Sequence, residues 1–193
     1  MGTLGEPLRA DARRNVDAIL VAARDVLAEN SNAELATIAA RAGVHRVTLY
    51  RHFRSREALV EALQLAAVDD ALAVALTTNL GADDLLQEVE TLIRRLYEVS
   101  LTWRSYGWAL GYSSGTAERR RRQDLGEVTV ALFRAAQQQG LLRQDLSEGE
   151  LLVTWGAPSI YLSGLIADGH WTLDEVVDYT MRLLKPAAGD DPS

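Results

Sequence analysis

The chain has 193 residues, 48% of them hydrophobic, and its 20 Lys and Arg against 27 Asp and Glu leave a formal net charge of -7. That length allows one small domain and one larger domain, each with a core of its own. With no cysteine, no metal-ligand spacing among His45, His52 and His170, no apolar run long enough for a bilayer and no signal-peptide core in MGTLGEPLRADARR, the composition speaks against disulfides, metal or other cofactors, a membrane span and export, and makes the cytoplasm the expected location.

Apolar residues recur at three and four, and no segment alternates β-branched or aromatic residues, so an all-α protein of about nine helices is expected. The first helix runs from about Asp11 to Glu29 with a buried stripe of Val16, Ile19, Leu20, Ala23, Val26 and Leu27, and Asn30 and Ser31 end it. The second carries Leu35, Ile38, Ala39 and Ala42 inward and stops at Gly43, the residue type that most readily takes the left-handed backbone of a helix end. A small residue at Ala39 permits close approach of a steeply crossing third helix, whose short apolar face draws on Val44, Val47 or Thr48, and Leu49. Such packing turns His45, Arg46, Thr48 and Tyr50 outward with Arg51, Arg54 and Arg56 at the flank, and no acid stands between Arg41 and Arg56. This is a surface suited to a DNA groove. The structural alternative is a solvated basic face.

Ser55 is placed to cap a long fourth helix joining the two domains, and Gly81, Asp83 and Asp84 precede a fifth with the stripe Leu85, Leu86, Val89, Leu92, Ile93 and Leu96. A short sixth helix falls in the segment from Trp103 to Gly115, and Thr116 is expected to cap a seventh that ends near Gly140. Asp145 and Ser147 open an eighth, carrying Leu151, Leu152, Trp155, Ile160, Tyr161 and Leu165, in which Pro158 predicts a kink. The ninth runs from about Leu173 to Leu184, and PAAGDDPS after Lys185 has the composition of a disordered tail.

Charge is divided along the chain. Residues 1–56 hold nine Arg against six acids, a balance of +3, and residues 57–193 hold eleven Lys or Arg against 21 acids, a balance of -10. Only the first part is suited to phosphate, and an acidic remainder orients its approach.

Ile38 and Ala39, Ala42 to Val44, Thr48 to Phe53 and Arg56 to Leu59 together resemble the signature of the TetR family over roughly the first third of the chain. The resemblance implies a three-helix DNA-binding domain with a helix-turn-helix over residues 1–54, a helical ligand-binding and dimerisation domain over 55–185 and a disordered tail over 186–193. It places Thr37, Arg41, His45, Arg46, Thr48, Tyr50, Arg51, His52 and Arg56 at bases or phosphates of a double-stranded operator, with Phe53 in the core. It also implies a homodimer through the last two long helices, about residues 147–168 and 172–184, where Gly156, Ala157, Ser163, Gly164, Leu165, Val176, Val177, Met181 and Leu184 exceed what one inward stripe needs. The implied function is a ligand-released repressor at a pseudo-palindromic site; the alternative is a helical dimeric interaction protein that has lost operator binding.

Two positions depart from the family pattern. Glu34 stands where a hydroxyl residue is usual, so its carboxylate would repel phosphate unless Thr37 compensates, or else it forms a capping box with Ser31. Val47 replaces a small residue, and inward packing is favoured over contact with a thymine methyl. In the larger domain Trp103, Tyr106, Trp108, Tyr112, Trp155 and Tyr161 are the candidate lining of an aromatic ligand cavity, each with core packing as its plain alternative, and Arg104 and His170 could orient a polar ligand group. The run Arg119 to Arg122 covers every side of one helical turn and reads as a solvated face. No enzyme constellation stands out, since the pairs Asp83 with Asp84 and Glu148 with Glu150 sit at presumed helix starts, where exposed N–H groups favour acids.

Overall fold

The computed structural model describes residues 6–103 and 116–186. Among these residues the chain forms eight helices and no strand: α1 (Glu6–Glu29), α2 (Leu35–Arg41), α3 (Arg46–His52), α4 (Arg56–Ala75), α5 (Leu85–Thr102), α6 (Thr116–Gln138), α7 (Glu148–Ala167) and α8 (Leu173–Leu184). The short helix expected between α5 and α6 and the tail from 187 lie outside the described residues, so α6, α7 and α8 are the seventh, eighth and ninth of the expected series. α1 starts at Glu6, ahead of the expected Asp11; Pro7 falls in its first turn, where a missing N–H breaks no helical bond.

The chain divides into two compact units, residues 1–64 and 65–193, and the division falls inside α4. In the first unit α1 packs on α2 and α2 on α3. Ile19, Ala22, Ala23, Val26 and Leu27 bury the stripe of α1, Ile38 and Ala39 that of α2, and Leu49 and Phe53 that of α3. Gly43 holds φ 67, a backbone conformation that a side chain would strain. The turn it makes is closed by the Val44 N–H donating to the Ala39 carbonyl at 3.0 Å. The start of α4 is fixed twice, because the Ala58 N–H donates to Ser55 Oγ at 3.2 Å and Arg56 donates to the carbonyls of Ala33, at 2.6 Å, and of Ser31. One arginine thus ties α4 to the loop between α1 and α2.

In the second unit α5, α6, α7 and α8 pack against one another around Val89, Ile93, Leu132, Phe133, Leu151, Val176 and Val177. Asp84 caps α5 by accepting from the Gln87 N–H at 2.9 Å, while Ser147 with Glu150 and Thr172 with Glu175 form capping boxes on α7 and α8. Val176, Val177, Met181 and Leu184 are all buried within the unit. They are therefore the inward stripe of α8 and supply no second apolar face, contrary to expectation. Helix α7 is continuous through Pro158, and it does carry surplus apolar surface: Leu151, Trp155 and Leu162 face the core whereas Val153 is 63% and Tyr161 71% exposed. By length and composition alone, α7 is apolar enough to cross a membrane, with a mean hydropathy of 1.2.

Candidate nucleic-acid interface

Helix α3 has seven residues, and its geometry decides which of them face outward. At 3.6 residues per turn successive side chains are about 100° apart, so Val47 lies roughly 200° from Leu49, on the far side of the helix. Leu49 is wholly buried, and Val47 is 79% exposed. This overturns the expectation that Val47 packs inward; the partly buried Thr48 and Val44 flank Leu49 instead. On one shoulder of the outward face, Arg46 donates to Tyr50 Oη at 3.3 Å and lies 5.4 Å from the centre of the Tyr50 ring. That hydrogen bond chiefly holds the Arg46 pKa above its ordinary value, and the Glu34 carboxylate adds to it in a small way. Arg51 is exposed on the other shoulder.

The remaining predicted contact residues divide by what they already do. His45 is exposed at the N-cap of α3, Thr37 is exposed on α2, and Arg41 is exposed and pairs with Glu29 at 3.4 Å. His52 is partly buried, with a buried Nε2 that lacks a hydrogen-bond partner and a ring 6.5 Å from that of Phe53. Arg56 is partly buried, its guanidinium engaged by the Ser31 and Ala33 carbonyls. The structure therefore brings Arg46, Thr48, Tyr50 and Arg51 onto one short helix and gives Arg56 a tie inside the domain. The capping box expected between Ser31 and Glu34 does not form. Glu34 is itself the N-cap residue of α2, one position before Leu35, and makes no side-chain cap hydrogen bond. A box would need its serine at that position.

The aromatic candidates of the larger unit are similarly divided. Tyr106, Trp108 and Tyr112, with Arg104, lie outside the described residues. Trp103 is buried and donates from Nε1 to Asp70 at 2.9 Å, whereas Trp155 is buried with no partner on Nε1. Tyr161 does not join them, because it stands on the exposed side of α7, and His170 is exposed as well. Two buried polar pairs cross this core, Tyr97 with Thr180 at 3.0 Å and Ser100 with Ser163 at 2.9 Å, and burial pushes the Tyr97 phenol pKa up. The arginine run is not a uniformly solvated face. Arg121 pairs with Asp69 at 2.8 Å, and Arg122 pairs with Glu118, a carboxylate only 4% exposed. The acids expected at helix starts are accounted for by Asp84 and Glu150 as caps and by Glu148 as the partner of Arg134.

Three helices around one apolar core, the second and third of seven residues each, with a glycine turn and a basic outward face on the third, define a helix-turn-helix module within an all-helical protein. Residues 19–63 match the family model for bacterial regulatory proteins of the tetR family. The chain has the fold of TetR-family DNA-binding regulators. A TetR transcriptional regulator from Streptomyces coelicolor is 28% identical, with a TM-score of 0.60 over 90% of this chain and 99% of that one. The TetR-like transcriptional regulator LfrR from Mycobacterium smegmatis, in complex with proflavine, is 23% identical, with a TM-score of 0.69 over 87% of this chain and 93% of that one. A tetR-family regulatory protein from Rhodococcus RHA1 is 15% identical, with a TM-score of 0.73 over 90% and 98%. No curated protein matches the chain.

Proposed function

We propose that the protein is a homodimeric transcriptional repressor that a small hydrophobic or aromatic ligand releases from a pseudo-palindromic operator. The observation that carries this reading is the outward face of α3, where Arg46, Tyr50 and Arg51 stand exposed over a core closed by Leu49 and Phe53. Arg46 and Arg51 are suited to base edges or phosphates in a major groove, with Thr37, Arg41, His45, Thr48 and Tyr50 at neighbouring positions on the duplex. His52 and Arg56 are assigned to the phosphate backbone, and Arg56 also ties the start of α4 to the Ser31 and Ala33 carbonyls.

Dimerisation is favoured by α7, whose exposed Val153 and Tyr161 share a face with Gly156 and Gly164, two residues beside which an added Cβ would meet no atom within 4 Å. A second copy would cover that surface and set the spacing of two α3 helices. A ligand among the larger unit's aromatic residues is favoured by Trp155, whose buried indole N–H has no partner. LfrR offers a precedent for an aromatic ligand, since it takes proflavine. The ligand would favour a dimer with wrongly spaced recognition helices, with α4 carrying the change because it runs from one unit into the other. On this reading the protein acts in the cytoplasm as a regulator and not as an enzyme. Glu34 favours the second reading, a dimeric interaction protein without an operator, because its carboxylate stands uncapped at the start of α2.

Selection of bound duplexes from a random pool separates the two. A two-fold-symmetric site with half-sites about one helical turn apart and a steep loss of affinity with salt is expected of the repressor. A folded dimer that enriches no sequence would establish the interaction protein.

A further inference from the structure

We propose that Val47 is a specificity-determining residue that reads the C5-methyl group of a thymine in each half-site; this rests on the DNA-binding reading above. Val47 is 79% exposed at the second position of α3, so the domain core has no use for it. It occupies the middle of the outward face. Arg46 and Tyr50, joined at 3.3 Å, stand on one side of it, and exposed Arg51 with partly buried Thr48 stands on the other. Any duplex engaged by those side chains must also cover the valine.

A branched aliphatic group offers a base edge no hydrogen bond. Its favourable partner among the major-groove edges is the thymine methyl, and a polar cytosine or guanine edge in its place would be desolvated without compensation. In a helix the β-branched side chain is also nearly confined to one χ1 rotamer, so its methyls are already in position and little side-chain entropy is lost on contact. The polar residues on either side orient the duplex while the apolar residue between them discriminates.

The test uses the full-length protein and the duplex obtained by selection. Each thymine of one half-site is replaced in turn by deoxyuridine, which removes only the methyl group, and affinity is measured at fixed salt for wild type and for Val47→Ala. At one position uracil should weaken the wild type about fourfold. Val47→Ala, which keeps its helix because the position is exposed, should bind the thymine and uracil duplexes equally at that same position. The proposal is overturned if uracil costs both proteins the same at every position, if it costs neither anything, or if the selected half-site contains no thymine. Should no duplex be enriched by a folded dimer, the DNA-binding reading itself fails, a result distinct from all three.

Discussion

In residues 1–64 the core is built from Ile19, Ala23, Leu27, Ile38, Leu49 and Phe53, and the cations of α3 stand outside it. In residues 65–193 two hydroxyl pairs are buried between helices, Tyr97 with Thr180 and Ser100 with Ser163, while buried Trp103 and Glu118 reach outward to the exposed Asp70 and the partly buried Arg122. The contrast matches two tasks. A small module that presents side chains to a rigid partner gains from an apolar core, which tolerates little rearrangement, whereas buried hydrogen bonds between helices are directional and can be exchanged for others when a ligand enters. On the proposed function the smaller unit would be a fixed reader and the larger a switch.

The sharpest test of the reader is removal of its outer cations. Arg46→Ala with Arg51→Ala should weaken operator binding about a thousandfold while leaving the proposed dimer intact by sedimentation, since both side chains are exposed. Loss of the dimer as well would mean that this face serves assembly.

Next in size is Leu49→Ala, expected to cost about 3 kcal/mol because the side chain is wholly buried and the surrounding short helices collapse poorly. Monitored in urea by helicity together with tryptophan emission, which reports only on the larger unit because all four tryptophans lie beyond residue 64, it should give an early loss of helicity that the emission does not follow. Coincident transitions would show instead that the two units unfold as one.

If a second copy covers α7 as proposed, Val153→Arg should weaken that dimer by about 2 kcal/mol through an unpaired charge in each copy, raising the dissociation constant seen by sedimentation without unfolding the protomer. An unchanged constant would move the interface away from α7.

Acid provides the smallest effect and addresses the units separately. The carboxyls of Asp145, Glu148, Glu150 and Glu175 are held below their ordinary values, chiefly by Arg143, Arg134, the Ser147 hydroxyl and the Thr172 N–H respectively. Groups with a depressed folded pKa contribute stability above their unfolded values, about pH 4 for these residues, and lose it as the pH falls through the folded values. The urea midpoint of the larger unit should therefore decline below about pH 4, and Glu150→Gln with Glu175→Gln should flatten that decline. A slope that the substitutions leave unchanged would assign the acid sensitivity to other groups.

Much of this fold was legible because it rests on local chemistry. Gly43 ends α2, Ser55 starts α4, and the three- and four-residue recurrence of apolar side chains marks α1 and α5; each depends on residues within a turn or two of one another. Ser147 was legible as the start of α7, and the capping boxes of Ser147 with Glu150 and of Thr172 with Glu175 share one three-residue spacing that local chemistry alone defines. Cationic candidates on α3 could be named from sequence because a seven-residue helix over a known turn leaves few arrangements.

Local spacing could not assign the partner of each side chain. It did not reveal that Arg56, 23 residues from Ala33, donates to that carbonyl, or that Arg121 of α6 pairs with Asp69 of α4. It also could not decide which apolar residues of α7 and α8 are surplus, because a stripe is inward or outward only relative to a neighbour: Val176 and Met181 proved to be core, Val153 and Tyr161 surface. Val47 shows the same division. Sequence by itself determined that an apolar, β-branched residue stands in α3 among cations, since composition and helical period are properties of the chain. Only the tertiary structure decided that it points outward, since that depends on where the other two helices close over Leu49.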